Sequence, residues 1–548
     1  MNKSNNGVVF TKEWIVELML DCCGYTSDKN LAASLIIEPS CGQGAFLIPI
    51  VRRLIASTKK YSCNIADLYD SIRAFELDEQ HIKECWTMLF QLLINEGIDI
   101  QTAEKLLDCW LVNSDFLLCE TFRKADYVIG NPPYIRGTEI DRVLREKYIR
   151  ACKTMTAGTD IYVGFIETGL RYLKPNGVLN FICADRWMHN AYGKKLRKLV
   201  SENYSVDIIL KMPDVDAFNT EVSAYPAIIQ ISKTPQSIAA SASMTELFTE
   251  ESVPELIDWL HNGAGNSCLK QTFSGYWHKS WFRTDDVWPV TSPDVITLLE
   301  KLNSQYHPLQ NKTTETQVGI GVATGRDDVF ILHDPTLVEK CLLLPLVTSA
   351  QTRSGRIEGE KVWLFNPWDN SGNLIDIEQY PLARKYLESH QESLRSRHVA
   401  KKSCEKSWYR TIDKVYPGLV NMPKLLIQDM KSYIQPILDK GDYYPHHNLY
   451  WITSEQWDLE VLGGLLISDV ARMTVGAYCV KMRGGTLRLQ AQYLRKIRLP
   501  EPSAIDFKLQ AELVDAFRND DRSKASEAAM QAYDLKGFLH EKHRICSC

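Results

Sequence analysis

The chain has 548 residues, of which 63 are lysine or arginine and 68 are aspartate or glutamate, and its net charge is −5. That length exceeds what one hydrophobic core usually organises, so we expect two or three domains. No apolar run reaches ~18 residues and the first residues are polar, which argues against a membrane-spanning helix or a secretion signal and favours a cytoplasmic protein.

The cysteines and histidines predict neither disulfides nor a metal site. Cys22 and Cys23 are adjacent, Cys546 and Cys548 lie at the end of the sequence, and no Cys-x-x-Cys pair is present. The 12 histidines form no ligand spacing either. We expect most cysteines to be reduced core residues, and we predict no metal.

The first predicted strand leads into a glycine-containing turn. Leu35–Ile37 is apolar and is followed by Glu38, Gly42 and Gly44, and apolar residues at helical spacing begin at Ala45. The turn lacks the third glycine of a dinucleotide site and the Gly-Lys-Ser/Thr of a phosphate loop. Because the carboxylate before the turn repels phosphate, the motif favours a cationic cofactor without phosphate.

The next two predicted strands end beside acidic residues. Ile72–Phe75 is followed by Glu76, at a strand end where a ribose is usually held in such sheets. Trp110–Val112 leads to Asp115 and Phe116, which offer a carboxylate and a ring to an adenine. Taken singly, each acid is more often a solvated strand end. In this order and spacing, the two assignments support each other.

The apolar run Tyr127–Ile129 predicts a buried strand that ends in the loop Asn131-Pro132-Pro133-Tyr134. An aromatic amine is a poor nucleophile because its lone pair is delocalised into the ring. If the Asn131 side-chain oxygen and the Pro132 carbonyl accept its two hydrogens, the lone pair can face an electrophilic methyl group, and Tyr134 can stack on the base. The alternative is a plain strand-to-turn junction, since such proline pairs are common in turns.

Taken together, these motifs resemble the gamma-class N6-adenine DNA methyltransferases of bacterial restriction-modification systems, in the TaqI-like group. The resemblance rests on their order: a first motif at Gly7–Thr11, the glycine turn, Glu76, Asp115-Phe116, Asn131–Tyr134, and then a helix, turn and strand over Asp160–Leu179. It covers about the first 235 residues well and the rest loosely.

The resemblance implies a cofactor and a set of site residues. The cofactor is S-adenosylmethionine, and its site would be formed by Thr11, Glu38, Gly42, Gly44, Glu76, Asp115 and Phe116. The catalytic loop would comprise Asn131, Pro132 and Tyr134, and the target adenine, rotated out of the duplex, would stack on Tyr134 and Phe218. One departure is Lys12, where the family usually has proline. Transfer would be direct, without a covalent enzyme intermediate or a dedicated general base.

The predicted fold class is α/β. We expect a Rossmann-like methyltransferase domain in residues 1–235, a connecting region in 236–300, and a mixed α+β DNA target-recognition domain in 301–548 that ends in a helical segment. The first boundary rests on the small, polar stretch Ser232–Ser243.

Basic residues in the C-terminal half predict contacts with DNA. The stretch Ala471–Pro500 has seven basic residues and no acid, and Arg395–Lys414 has seven basic and two acidic residues with Trp408 and Tyr409 between them. The alternative is that both are ordinary solvated faces. The loop Gly319–Arg326 resembles the start of the family's recognition domain. The predicted DNA contacts are Thr324, Arg326, Lys481, Arg483, Arg488 and Arg495.

The expected partner is double-stranded DNA, with a companion restriction endonuclease that acts on the same sequence. We expect a monomer, associated with the nucleoid when bound to DNA and not with a membrane. Three alternatives remain open: a methyltransferase for RNA or for a protein glutamine, a fused nuclease and methyltransferase, and a silent DNA-specificity subunit. The long C-terminal half favours duplex DNA, and the intact loop and glycine turn argue against a silent subunit.

Overall fold

The computed structural model describes residues 10–119, 123–213, 215–219, 226–401, 407–479 and 487–535. The chain divides into two compact units, Met1–Pro293 and Asp294–Cys548.

The first unit is built on a ten-stranded sheet. Its strands are β1 (Ile36–Glu38), β2 (Ile72–Glu76), β3 (Leu111–Asn113), β4 (Ala125–Gly130), β5 (Leu173–Ala184), β6 (Ser205–Lys211), β7 (Pro226–Ser232), β8 (Ala239–Met244), β9 (Cys268–Leu269) and β10 (Phe273–His278). Its helices are α1 (Glu13–Cys23), α2 (Leu47–Tyr61), α3 (Glu79–Asn95), α4 (Ile100–Trp110), α5 (Arg142–Ala151), α6 (Tyr162–Tyr172), α7 (Arg186–His189), α8 (Lys194–Asn203) and α9 (Val253–Asn262).

The strand order in space is β3-β2-β1-β4-β5-β7-β6-β8-β10-β9. Strands β1 to β5 are parallel, β7 is antiparallel to both of its neighbours, and β10 is antiparallel to β8. The chain moves outward in one direction from β1 to β3 and in the other from β4 onward. In such sheets, ligands bind at the carboxyl ends of the strands where the direction switches, here β1 and β4.

Both faces of this sheet are covered, which is why its strands are nearly continuous runs of apolar residues. Consecutive residues of a strand point into opposite cores. Ile36 of β1 and Ile129 of β4 lie in the core with α1 and α2, whereas their neighbours Ile37 and Val128 lie in the core with α6. The predicted α/β fold of this unit is confirmed. Helix α2 begins at Leu47, two residues after the predicted start, because the turn continues through Phe46.

The sheet extends past residue 235, where the sequence predicts that the catalytic domain ends. The small, polar stretch predicted as a boundary contains β8, a buried strand between β6 and β10. A polar residue is tolerated inside the sheet because its hydroxyl is hydrogen-bonded: Ser241 Oγ lies 2.7 Å from His278 Nε2. The predicted connecting region therefore contributes strands to the sheet of the first unit. The boundary between the two units lies between residues 293 and 294.

The second unit is mixed α+β, as predicted. Its strands are β11 (His307–Pro308), β12 (Gln317–Ile320), β13 (Ile331–Leu332), β14 (Leu343–Val347), β15 (Val362–Phe365), β16 (Lys424–Gln428), β17 (Met430–Lys431), β18 (Ile437–Asp439), β19 (Tyr444–Pro445), β20 (Leu449–Thr453), β21 (Leu487–Arg488) and β22 (Arg498–Leu499). They form two four-stranded sheets, β12-β20-β16-β18 and β13-β15-β14-β19, and two-stranded pairs.

The helices of the second unit are α10 (Pro293–Gln305), α11 (Asp327–Phe330), α12 (Pro381–Ser389), α13 (Gln391–Arg395), α14 (His398–Lys401), α15 (Leu459–Ile467), α16 (Asp469–Tyr478), α17 (Ala491–Leu494), α18 (Phe507–Arg518) and α19 (Arg522–Ala532). Within the ranges given above, no single helix is long and apolar enough to cross a membrane. The helices α15 and α16, which meet at 65°, satisfy that length and composition only as a bent pair.

Candidate active site

A cavity of about 890 Å³ lies at the carboxyl ends of β1, β2 and β4. This volume is within the range of sites for small molecules and cofactors. The cavity brings together nine of the residues predicted from sequence: Thr11, Glu38, Gly42, Glu76, Asp115, Phe116, Asn131, Pro132 and Tyr134.

The glycine turn after β1 needs both of its glycines. Gly42 and Gly44 have φ of 51° and 91°, a region that other residues adopt at a cost. Gly42 lines the cavity, but Gly44 is not among the lining residues. A Cβ on Gly44 would lie 3.0 Å from the Cys85 Sγ of α3. Gly44 therefore serves the packing of the turn against α3.

Glu76, at the end of β2, connects that strand to the glycine turn. Its Oε2 accepts a hydrogen bond from the Gly42 amide, and its Oε1 accepts from the amides of Leu77 and Asp78, each at 2.9 Å. A carboxylate has about four acceptor positions. The three amide bonds fix its orientation and leave capacity for a hydroxyl donor in the cavity.

Glu38 is the most unusual charged group of the cavity. Its side chain is 1% exposed, and its Oε2 has no hydrogen-bond partner among the described residues. Burial raises the pKa of Glu38 well above its usual value, and the nearby Cys85 and Glu76 raise it further. Leaving such an acceptor unsatisfied is costly, and a donor with positive charge in the cavity removes that cost.

Asp115 and Phe116 follow β3 and form another part of the wall. Asp115 Oδ1 accepts from the Leu117 amide at 2.9 Å, and its Oδ2 accepts from the Tyr148 hydroxyl at 2.8 Å. The ring of Phe116 packs against Phe75 with centroids 5.2 Å apart. Tyr148 lines the cavity from α5 and was not predicted, because nothing in its spacing of 33 residues from Asp115 identifies it.

The loop Asn131–Tyr134 leaves β4 directly into the cavity. Ser40 Oγ donates to the Asn131 carbonyl at 3.1 Å, which joins this loop to the glycine turn. Asn131 Nδ2 donates to Thr11 Oγ1 at 3.1 Å, so its acceptor oxygen is on the other side of the amide. The ring of Tyr134 contacts that of Phe218 edge to face, with centroids 6.1 Å apart at 79°. Burial raises the pKa of Tyr134 well above its usual value.

A short antiparallel pairing brings Phe218 to the site. Thr11 is bridged to Phe218, Lys12 N donates to Ala217 O, and Asn219 N donates to Phe10 O, each of the two bonds at 3.0 Å. Residues 7–9 of the predicted first motif lie outside the described residues. Lys12 has φ −65°, the value that a proline imposes, so the family's proline would fit this backbone. With lysine, the amide instead bonds Ala217, and Nζ pairs with Asp216.

Three of the residues predicted to contact DNA have partners within the second unit. Arg326 pairs with Asp328, and Arg488 Nε lies 3.5 Å from Asp429 Oδ2. Arg495 donates to Gln310 Oε1 at 2.7 Å and to the Val318 carbonyl at 2.6 Å.

The prediction also included Thr324, Lys481 and Arg483. Thr324 is 0% exposed and donates to Asp327, which is at odds with a direct contact to DNA. Lys481 and Arg483 lie outside the described residues.

Part of the basic stretch Arg395–Lys414 stabilises the fold of the second unit. Arg397 is buried and donates to the carbonyls of Leu394, Thr324, Trp408 and Arg410. Burial, with Arg326 and Arg410 nearby, lowers its pKa to about 10. The aromatic residues of this stretch, Trp408 and Tyr409, are also buried. They are core residues, not stacking surfaces for bases.

Comparison with known proteins identifies the family. Residues 43–218, which contain Gly44 and the Asn131–Tyr134 loop, match the Eco57I restriction-modification methylase family. The chain is 38% identical to the type II methyltransferase M.BstVI of Geobacillus stearothermophilus, over 93% of this chain and 92% of that protein. It is also 38% identical to the type II methyltransferase M.PaeR7I of Pseudomonas aeruginosa, over 98% and 92%. The chain belongs to the type II restriction-modification methyltransferases.

The fold agrees with that assignment. The methyltransferase shares its fold with the type IIL restriction-modification enzyme MmeI, solved in complex with DNA, at a TM-score of 0.60 and 13% identity, over 96% of this chain and 74% of that one. The cofactor of this methyltransferase is S-adenosylmethionine. The cavity fits this group, because the buried, unsatisfied Glu38 carboxyl suits an ammonium group and, among the described residues, no lysine or arginine lines the cavity to hold a phosphate.

Proposed function

We propose that this methyltransferase is a gamma-class enzyme of the TaqI-like group, which methylates the exocyclic N6 amine of an adenine in a short duplex DNA sequence. The observation that carries the proposal is the position of the Asn131–Tyr134 loop, which shares one cavity with Glu38, Glu76 and Asp115. A rigid pair of amine acceptors next to a cofactor site is what methylation of a poor aromatic nucleophile requires.

The cofactor would be held by the acidic residues of the cavity. The Glu38 carboxyl receives its ammonium group, Glu76 has capacity for a ribose hydroxyl, and Asp115 and Phe116 face its adenine. When bound, S-adenosylmethionine supplies an electrophilic methyl group on a sulfonium. The chain's own part is to orient that group toward the loop after β4 and to exclude water from between them.

The target amine would be held by Asn131 and Pro132. The Asn131 oxygen and the Pro132 carbonyl accept its two hydrogens, so its lone pair points at the methyl group. After transfer, the nitrogen carries an extra proton and a positive charge. Such a product is strongly acidic and loses its proton without a dedicated base.

Tyr134 and Phe218 would enclose the flipped base. Stacked rings are separated by about 3.4 Å, so a base between two parallel rings sets them about 7 Å apart. Their centroids are 6.1 Å apart, but their planes are inclined at 79°. A base stacked face to face on both rings would therefore require at least one of them to rotate.

DNA would be recognised by the second unit. Over most of their lengths, the relatives M.BstVI and M.PaeR7I match this chain, and both are named as type II methyltransferases. That similarity supports a DNA substrate over RNA or a protein glutamine, and it supports an enzyme over a silent specificity subunit. We expect the methyltransferase to act as a monomer and to protect its sequence against a companion endonuclease.

The test is transfer of labelled methyl groups from S-adenosylmethionine to bacterial DNA that lacks adenine methylation, with single-molecule sequencing of the product. We expect N6-methyladenine in one short motif. Asn131→Ala should lower the rate about 100- to 1,000-fold, as for loss of a group that stabilises a transition state. Asn95→Ala, an exposed asparagine of α3, is the matched control. Methylation of cytosine, of RNA or of protein instead would refute the proposal.

A further inference from the structure

Two histidines and an aspartate of the second unit converge in a way that neither the fold nor methyl transfer explains. His446 Nε2 lies 3.1 Å from Asp327 Oδ2, and His447 Nδ1 lies 2.9 Å from His446 Nε2. One ligand atom from each of the three residues lies within 4.8 Å of the other two. The residues come from the start of α11 and from the turn between β19 and β20.

The protons of these groups cannot satisfy both contacts well. A ring nitrogen carries either a proton or a lone pair. If His446 Nε2 is protonated, its single hydrogen can point at Asp327 or at a lone pair of His447 Nδ1, but not well at both. If it is not, its lone pair faces the Asp327 carboxylate at 3.1 Å. A positive ion at the centre of the three atoms removes the conflict.

We propose that Asp327, His446 and His447 bind a divalent transition-metal ion of the Zn²⁺ type. Two imidazoles and one carboxylate suit zinc and its neighbours, whereas Mg²⁺ and Ca²⁺ prefer oxygen ligands throughout. In a tetrahedral shell with bonds of about 2.0–2.1 Å, ligand atoms lie about 3.3 Å apart. The two close separations, 3.1 and 2.9 Å, are near that value. Three protein ligands leave a fourth position for water or another ligand.

The surroundings hold these ligands in place, as the partners of metal ligands usually do. Thr324 donates to the second oxygen of Asp327. The backbone of His446 is fixed by a bond from its amide to Val347 O at 2.9 Å and by pairing with Val322.

The sequence gives no spacing that reveals this site. Asp327 and His446 are 119 residues apart, and the prediction of no metal site rested on spacing alone. The bound ion would link the loop that carries Arg326 to the turn before β20. Its effect would be to fix the conformation of a loop in the unit proposed to recognise DNA.

The test is metal binding by the full-length protein, purified without a histidine tag and stripped with a chelator. We expect one equivalent of Co²⁺ with visible d–d absorption and no thiolate charge-transfer band, displaced by one equivalent of Zn²⁺. His447→Ala and Asp327→Asn should each weaken binding at least about 100-fold. His333→Ala, an exposed histidine of the same unit, is the matched control and should bind as the wild type does.

Asp327→Asn and His447→Ala change residues of different burial, so a folding defect is not expected to explain a loss of metal binding in both. Asp327 is exposed and His447 half-buried, and the circular dichroism and melting temperature of the stripped variants should match those of the stripped wild type. Zn²⁺ should raise the melting temperature of the wild type and of His333→Ala, but not of the other two. Equal binding by all four proteins, or binding with a thiolate band only, would overturn the proposal. Methyl transfer is not part of this test.

Discussion

At the scale of single residues, Glu38 presents opposing demands of stability and binding. The buried carboxyl has an unsatisfied oxygen and a raised pKa, so its ionisation destabilises the folded protein without cofactor. We expect Glu38→Gln to raise the melting temperature of the cofactor-free protein and to weaken binding of S-adenosylmethionine. Hydrogen bonds to charged groups contribute about 1.5–3 kcal/mol, which corresponds to about 10- to 160-fold in Kd.

The stability effect has a definite pH dependence. The folded-state pKa of Glu38 is above the unfolded value of about 4.3, so its contribution to stability is fully present below that pH. It is lost as the pH rises toward the folded-state pKa. The difference in melting temperature between Glu38→Gln and wild type should therefore grow from pH 4 upward. Glu104→Gln, which changes an exposed acid of α4 outside the cavity, should show neither effect in calorimetry and thermal melts.

Substitutions of Tyr134 distinguish stacking by its ring from hydrogen bonding by its hydroxyl. Its hydroxyl is buried without a partner among the described residues, so the proposed role depends on the ring. Tyr134→Phe should keep target-base binding within about threefold, whereas Tyr134→Ala should weaken it by roughly 1–3 kcal/mol, the value of one stacked base. The measurement is the fluorescence of 2-aminopurine at the target position of a duplex. Equal losses in both variants would assign the role to the hydroxyl.

At the scale of elements, the glycine turn combines two separate constraints. Gly44 has φ 91° and its missing Cβ is 3.0 Å from Cys85 Sγ. We expect Gly44→Ala to destabilise the protein by about 1–3 kcal/mol from backbone strain, with a steric cost in addition. Adding Cys85→Ala should remove the steric part alone. The double variant should therefore lose less stability than the two single variants lose in sum. Urea unfolding of the four proteins of this cycle measures the coupling.

The local part of the site was predictable from sequence, and the long-range part was not. Each strand-end motif is a short stretch whose residues are neighbours in the chain, so β1 with its glycines and β4 with Asn131 were expected in the correct order. The contact of Thr11 with Phe218, and of Asp115 with Tyr148, depends on how separate elements pack. β8 was missed because small, polar residues resemble a loop when the hydrogen bond of Ser241 to His278 is unknown.

At the scale of the whole molecule, counting charges overstated the surface for DNA. The sequence cannot distinguish an arginine that faces solvent from one such as Arg397, whose guanidinium bonds buried carbonyls. The same applies to Asp327, His446 and His447, which meet only because the second unit folds. Burial and partners are properties of the fold, and they decide which basic residues remain for phosphate.

The salt dependence of DNA binding tests which arginines those are. With a net charge of −5, the chain has no general attraction for DNA, so the slope of log Kd against log salt reports local contacts. The Arg488 side chain is 50% exposed, and Arg488→Gln should reduce the slope by about 0.9, the value of one phosphate contact. Arg495 donates within its unit, so Arg495→Gln should leave the slope unchanged and cost about 1 kcal/mol of stability per lost bond. Lys361→Gln, which removes an exposed charge elsewhere in the unit, controls for net charge. A reduced slope for Arg495→Gln would contradict its structural assignment, and an unchanged slope for Arg488→Gln would contradict its contact with phosphate.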